Sequence, residues 1–453
     1  MYRQQHISRL LTGRRILIAG YGREGRSTHA LLRQFVPDNH IVVACDDAEI
    51  VDALNHSYDL IFKSPGIPMM KFEGRCDPEV VTSQSDLFLQ VYADRCIGIT
   101  GTKGKSTTAA LIYHILSECL PARTMLENDK QLSTSVPPPA ETVSLPANSH
   151  VLLAGNMGIP LFDIIPLIRQ HTFIVAEFSC HQLQNIRRAP HIAAILNLYQ
   201  EHLDHYHNYR DYQMAKMQIM LRQQPSDHCY YCADSPDLAN LVAELRPHIH
   251  STILPYSLHD ARTSSVAQMP SPLLGDHNLS NTYLALQIAT LLDISQDGFQ
   301  QALATFHTLP HRMELVGTYH NITFYNDSIS TIPQATIAAL QAIPNVNTLI
   351  LGGYDRGIDY TPLYPHLATI PHLVLVGAAG RRMHSEMLLH PLSPLEGKDL
   401  LLADDYSQIV HWSFFHTAPG SVCLLSPAAA SYDSFKNFEE RGETFKQLVR
   451  KQP

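Results

Sequence analysis

Short apolar runs alternate along this chain with longer stretches of helical periodicity. Residues 15–20, RILIAG, form an apolar run ending in glycine; YGREGRSTHALLRQF follows with helical spacing, and HIVVACDD is a second apolar run. Strands covered by helices on both faces read as continuous apolar runs, so this order predicts the start of a parallel α/β unit. LIFKSPGIP adds a strand and a turn. The pattern restarts near residue 93 with CIGIT, a glycine-rich loop and the helical TAALIYHILSECL, and FIVAEF, AAILNL and HCYYCA are predicted as further strands. It restarts again near 305–315, with strands at ITFYND, NTLILGG, HLVLVGAAG and SVCLLSP and a helix at IPQATIAALQAI. Three α/β domains are therefore expected, at 1–92, 93–306 and 307–453, with no repeat of solenoid period. Residues 121–150 are rich in Pro, Ser and Thr with little periodicity, and are expected to form a long loop or an inserted hairpin.

Composition narrows the class. The 453 residues are 45% hydrophobic and 17% charged, an ordinary globular balance able to bury sizeable cores. The net charge is −9 and the basic residues are scattered, which argues against a nucleic-acid partner. No apolar stretch reaches the ~18–20 residues of a membrane helix, and MYRQQHISRLLTGRR lacks the apolar core of a signal peptide. A cytoplasmic monomer with no membrane partner is expected. The eight cysteines lie mostly in apolar runs, as Cys96 and Cys423 do, and read as reduced core residues. Cys229 and Cys232 have no second pair at zinc spacing, so their reading is structural.

Two glycine-rich loops point to phosphates. Gly20, Gly22 and Gly25 follow a strand and open a helix, and Asp46 and Asp47 come after the next strand. Glycines let backbone approach a phosphate at a helix N-terminus. A nicotinamide or flavin cofactor, another nucleotide and a plain tight turn all fit that spacing. The second loop is GTKGKST at 101–107. Its glycines clear room for N–H groups to cup phosphate oxygens, Lys105 supplies a point charge, and a hydroxyl at Ser106 or Thr107 can ligate Mg²⁺. The spacing is shorter than G-x-x-x-x-G-K-[ST], but strand before and helix after supply the required context, and a nucleoside triphosphate is the expected ligand. Glu177 closes one predicted strand, and His202 and Asp204 follow another; an acid and an imidazole there could hold Mg²⁺ around the phosphates. Spacing alone makes Lys216, in MAKMQI, a snorkelling surface lysine.

Motifs in series then carry a resemblance. They are SPGIP at 64–68, GITGTKGKST at 98–107, GNMGIP at 155–160, EFSCHQL at 177–183, NLYQEHLDHY at 197–206 and YQMAKMQI at 212–219. GDHNLSN at 275–281, LPHRMELVG at 309–317, FYNDSIS at 324–330, LILGGYDRGIDYTPL at 349–363 and LLSPAAASYDSFKNFEERG at 424–442 complete the set. On these motifs the chain resembles the Mur ligases, and among them the branch that joins glutamate to UDP-N-acetylmuramoyl-L-alanine. The resemblance implies a Rossmann-like N-terminal domain, a central P-loop ATPase domain and a C-terminal Rossmann-like α/β domain. It implies ATP-dependent amide formation through an acyl phosphate in peptidoglycan precursor synthesis, with ATP, Mg²⁺ and a carbamylated lysine at Lys216.

The same resemblance implies roles by position. Gly20, Gly22, Gly25, Ser64, Gly66 and Asn156 would bind the UDP-sugar. Gly101, Thr102, Lys103, Gly104, Lys105, Ser106, Thr107, Asn278 and Arg312 would bind ATP, and Ser106, Glu177, His202 and Lys216 would support the metal. Lys105, His202, Lys216 and Asp327 would be catalytic. Thr331, Arg356, Ser431 and Phe438 would hold glutamate. Members of the family usually carry lysine at Ile329 and asparagine at Ile332, and many carry lysine at Arg356. D-glutamate is the favoured acceptor, with L-glutamate the alternative. A nucleotide-regulated binding protein without ligase chemistry is the more distant alternative, and intact Lys105, Glu177, His202 and Lys216 argue against it. A folylpolyglutamate synthetase-like enzyme would lack the separate βαβ unit at 15–92.

Overall fold

The computed structural model describes residues 2–120, 151–201, 205–391 and 394–452. The reading of 121–150 as a loop or hairpin lies outside these residues. The first sheet has strands β1 (Ile16–Ala19), β2 (Ile41–Ala44), β3 (Leu60–Lys63) and β4 (Val81–Thr82), all parallel, in the order β2-β1-β3-β4. The second has β5 (Cys96–Thr100), β6 (Val151–Gly155), β7 (Phe173–Glu177), β8 (Ile192–Ile195), β9 (His228–Cys232) and β10 (Thr252–Tyr256). It too is parallel, in the order β10-β9-β8-β5-β7-β6. The third has β11 (Glu314–Tyr319), β12 (Ile322–Asn326), β13 (Val346–Gly352), β14 (His372–Val376), β15 (Asp399–Leu402) and β16 (Val422–Leu425). Its order is β11-β12-β16-β13-β14-β15, with only β11 antiparallel to its neighbour.

Contacts gather the chain into two units. One runs from the N-terminus to Pro270 and includes Leu279–Thr305, so it holds the first two sheets; the other is Ser271–Asn278 with Phe306 onward, holding the third. Ser271–Asn278 belongs there because Leu274 packs on that core and Gly275 lies so near Ala342 that an added Cβ would sit 2.9 Å from Ala342 Cβ. All eight cysteines are free thiols, with Cys229 and Cys232 on β9. No described helix is long and apolar enough to cross a membrane.

Strand order decides where ligands can sit. In an open parallel sheet a crevice forms at the carboxyl ends of adjacent strands whose connections diverge. In the first sheet β1 lies between β2 and β3, so the loops after β1 and β3 face each other. In the second, β5 lies between β7 and β8, with Glu177 opposite Ile99 and Ile195 opposite Thr100. In the third, Asn326 on β12 pairs with Leu425 on β16, and Leu425 with Ile350 on β13, so three strand ends converge.

Candidate active site

The loop after β5 is shaped by its glycines. Gly101 and Gly104 have φ of 151° and 83°, conformations that side-chain-bearing residues rarely adopt. A Cβ on Gly101 would stand 3.0 Å from Leu196 Cβ. Gly104 caps the helix Lys105–Cys119 with no side-chain hydrogen bond, so that helix start presents its N–H donors and positive dipole end. Asn197, just beyond β8, braces the loop from below. Its Oδ1 accepts from Thr102 N at 3.0 Å and Lys103 N at 2.8 Å, and its Nδ2 donates to Lys103 O at 3.1 Å. Thr102 Oγ1 also shares a 2.7 Å hydrogen bond with Tyr212 OH.

Two lysines and a carboxylate border this loop. Lys105 Nζ donates to Thr102 O at 3.0 Å, and burial pushes its pKa down while Glu177 and Glu201 oppose the shift. Lys216, on the helix Tyr209–Leu221, is 2% exposed and donates to Gly101 O at 2.9 Å. Burial, with a smaller contribution from Lys105, lowers its pKa to about 8. The surface reading that spacing alone gave for Lys216 is therefore replaced by a buried amine under the loop. Glu177 is 1% exposed; Oε1 accepts from Asn156 Nδ2 at 2.7 Å, whereas Oε2 is buried with no hydrogen-bond partner. A buried carboxylate oxygen without a donor is costly unless a cation meets it, and a hard divalent cation suits it. Ser106 and Thr107 occupy the first turn of the helix that follows the loop. His202 and Asp204 lie outside the described residues, among which no group of three or more His, Cys, Asp or Glu side chains gathers as a metal site.

The crevice of the first sheet is as closely fitted. Gly20 has φ 91°, and a Cβ there would lie 2.9 Å from Ser64 Cβ; a Cβ on Gly25 would collide with Gly20 O. Gly22 caps the helix Arg23–Leu32 with open space around it, and Gly66 is likewise unconfined. Two of the three loop glycines are thus demanded, Gly20 by its positive φ and the nearness of Ser64 and Gly25 by the backbone of Gly20, whereas Gly22 has open space around it. Ser64 Oγ donates to Gly20 O at 2.7 Å and ties the loops together. Asp46 is a helix cap, accepting from Glu49 N at 2.9 Å, and Asp47 pairs with Lys71. Arg23 Nη2 reaches Asn156 O at 3.3 Å, linking this crevice to the strand end of β6.

The second unit presents its own cluster. Asp327 follows β12 and is buried; its carboxylate accepts from Ser426 Oγ at 2.8 Å, from Met313 N at 3.1 Å and from Ser330 Oγ. Burial outweighs these bonds and raises its pKa to about 6. Arg312 stands between His311 and Met313, both at positive φ, 64° and 42°. Asn278 Nδ2 donates to Leu274 O at 2.8 Å. Arg356 Nη2 donates to Thr331 O at 2.9 Å, and Phe438 O accepts from Ser328 Oγ at 2.8 Å. Beneath them Arg441, 1% exposed, gives its guanidinium to Ser328 Oγ and O, Ala429 O and Ala430 O at 2.8–3.2 Å. That fork fixes the loop through Ala428, at φ 55°, on to Ser431.

Comparison with known proteins places this arrangement. Residues 99–289 match the Mur ligase middle domain. The chain is 30% identical over 465 residues to the UDP-N-acetylmuramoylalanine--D-glutamate ligase of Novosphingobium aromaticivorans, covering 98% of this chain and 96% of that one. The chain belongs to the Mur ligase family. A protein of the same name from Bacillus mycoides is 30% identical over 416 residues, 88% of this chain and 85% of that one. Two Thermotoga maritima structures share the fold at 15% identity. A MurF ligase in complex with ADP has a TM-score of 0.55 and covers 98% of this chain and 97% of its own. A UDP-N-acetylmuramate-alanine ligase has 0.56, covering 96% and 99%.

In this Mur ligase several residues that shape the site escaped the sequence reading. Asn197 and Tyr212 stood at the edges of quoted motifs, but nothing in their spacing said that they brace the loop from beneath. Arg441 sits in a helix whose first turn is acidic and whose last is basic, and so reads as a surface residue. Lys63, buried at the end of β3, donates to Ile67 O at 2.9 Å, with burial lowering its pKa to about 8. Its signal was available: a lysine closing an apolar strand run.

Proposed function

We propose that this Mur ligase is the ATP-dependent enzyme that joins D-glutamate to UDP-N-acetylmuramoyl-L-alanine, in peptidoglycan precursor synthesis. The observation that carries the reading is the convergence, at the carboxyl ends of β5, β7 and β8, of a bare helix N-terminus, Lys105, buried Lys216 and the unbonded oxygen of Glu177. The acceptor comes from the names of the relatives. Three domains, at 1–92, 93–306 and 307–453, would divide the work among UDP-sugar, ATP and glutamate.

The chemistry follows from leaving groups. A carboxylate cannot acylate an amine directly, because oxide would have to leave. One oxygen of the substrate carboxylate attacks the γ-phosphorus of ATP, the bond to the β–γ bridging oxygen breaks, and ADP departs. The glutamate nitrogen then attacks the acyl carbon, phosphate leaves with its bonding pair, and the nitrogen sheds a proton. Gly101, Thr102, Lys103 and Gly104 would cup the phosphates, Lys105 would offset charge on the transferring oxygens, and Asn278 and Arg312 would hold adenine and ribose. Ser106, Glu177 and His202 would hold Mg²⁺, which when bound supplies charge neutralisation at the phosphates. Asp327, charged above pH about 6, would act near the γ-phosphate.

Lys216 is proposed to be carbamylated. The ammonium first gives up a proton; the neutral nitrogen then adds to CO₂ with release of a second proton, so a cation becomes an anion able to support the metal. With a pKa of about 8, about a tenth of the amine is neutral at pH 7, against about one part in 3,000 for an ordinary lysine. Gly20, Gly22, Gly25, Ser64, Gly66 and Asn156 would bind the UDP-sugar, and Thr331, Arg356, Ser431 and Phe438 the glutamate.

Anchoring both carboxylates of the acceptor fixes where its amine points. The wrong enantiomer misplaces that amine, and an error of about 1 Å costs roughly 100-fold. Initial rates with each pure enantiomer at equal concentration should favour D-glutamate by about that factor. Comparable rates contradict the anchored geometry, and a preference for L-glutamate contradicts the proposed acceptor.

A further inference from the structure

Tyr354 and Tyr432 are 45% and 67% exposed, yet their rings meet edge to face, with centroids 6.4 Å apart and planes at 68°. Each is displayed on backbone fixed on both sides. Tyr354 N donates to Ala430 O at 2.9 Å, and Gly353 before it, at φ 138°, approaches Ala430 O so closely that a Cβ would collide. Asp355 after it is gripped by Arg382, Nε to Oδ2 at 2.7 Å and Nη2 to Oδ1 at 2.9 Å, and Arg382 is itself held by Glu386 and by Ile358 O, each at 2.6 Å. Tyr432 follows buried Ser431, whose carbonyl accepts from Ser434 N at 3.3 Å and Phe435 N at 2.9 Å. Asp433 after it packs against Gly377, where a Cβ would collide with its carboxylate. Exposed aromatic rings held on rigid backbone mark a surface prepared for a ligand.

The same two loops carry Arg356 and Ser431, and Arg356 reaches Thr331 O. The ring pair therefore rims the residues proposed to hold the acceptor. We infer that Tyr354 and Tyr432 are positioning residues that form the apolar wall of the acceptor pocket. Their ring faces pack on the two side-chain methylenes of glutamate while Thr331, Arg356 and Ser431 hold its carboxylates. The inference rests on the acceptor reading given under the proposed function. Glutamate is charged at both ends and apolar between, and a wall of ring faces flanked by polar anchors matches that order.

The test is steady-state kinetics on the full chain with UDP-N-acetylmuramoyl-L-alanine, ATP and D-glutamate, comparing wild type with the double variants Tyr354→Ala/Tyr432→Ala and Tyr354→Phe/Tyr432→Phe. Withdrawing two methylenes from contact, at about fourfold each, should raise KM for glutamate about fifteenfold in the alanine pair. Values of kcat and of KM for ATP and for the UDP-sugar should stay within about twofold. The phenylalanine pair should match wild type, since ring faces rather than hydroxyls form the wall. An unchanged KM for glutamate in the alanine pair, an equal rise in all three KM values, or a phenylalanine pair behaving like the alanine pair overturns the inference alone. A wild-type enzyme that couples no glutamate overturns the acceptor reading and the wall with it.

Discussion

Replacing Lys105 with alanine should lower kcat for amide formation by about a thousandfold or more, with thermal unfolding unchanged. The ammonium makes one hydrogen bond, to Thr102 O, and is paired with no carboxylate at salt-bridge distance among the described residues. Burial already holds its charge at a cost, since desolvation lowers its pKa. Its loss therefore removes little that stabilises the fold. The loop keeps its shape through Asn197, whose three bonds to Thr102 and Lys103 do not involve Lys105. What disappears is the cation at the first helical position, where charge on the transferring phosphoryl group would otherwise meet only backbone dipoles. Phosphate release and amide formation by the purified variant, beside its melting curve, check this. Turnover within about tenfold of wild type would refute the assignment of Lys105 to phosphoryl transfer.

The second large effect concerns Lys216. Lys216→Ala should cost about a hundredfold or more in kcat, and added formate or acetate should recover part of it. Alanine opens a space under Gly101 O where Nζ had been, and a small carboxylate placed there would restore the anion that the proposed carbamate would supply. Structural damage alone would also lower activity, but no carboxylate would repair it. In wild type, activity should rise with added bicarbonate and as pH climbs from 7 toward about 8, because the neutral amine is the form that captures CO₂ and its fraction grows to about half at that pKa. Full activity in the unrescued variant would make this lysine structural, as would loss of activity that neither acid relieves.

The sequence disclosed strands according to where they lie in their sheets. Among the described residues, every strand it missed is at an edge: β4 in the first sheet, β6 and β10 in the second, β11 and β15 in the third. Central strands are buried on both faces and read as unbroken apolar runs, as CIGIT does, whereas β15 has no buried position and β11 is broken by Gly317. The phosphate loop was legible because its chemistry is local: glycines, a lysine and hydroxyls within seven residues of a strand end. Lys216 was opaque to spacing because its burial depends on Gly101, far away in the chain, and only the motif match singled it out. Arg441 was hidden for a similar reason: two of its four acceptors are on Ser328, far away in the chain, and the other two, Ala429 O and Ala430 O, lie on the loop before its helix. The two tyrosines carry no periodic signal, since their meaning comes from two loops brought together by the pairing of β13 with β16.

The most direct measurement is the mass of the product formed when the purified protein is incubated with UDP-N-acetylmuramoyl-L-alanine, ATP, Mg²⁺ and D-glutamate, with each component omitted in turn. A ligase of this kind yields the UDP-sugar lengthened by one glutamyl residue, with one ADP and one phosphate released per amide, and no product when any component is missing. ATP consumed with no glutamyl product, or no ATP consumed with all components present, would contradict it.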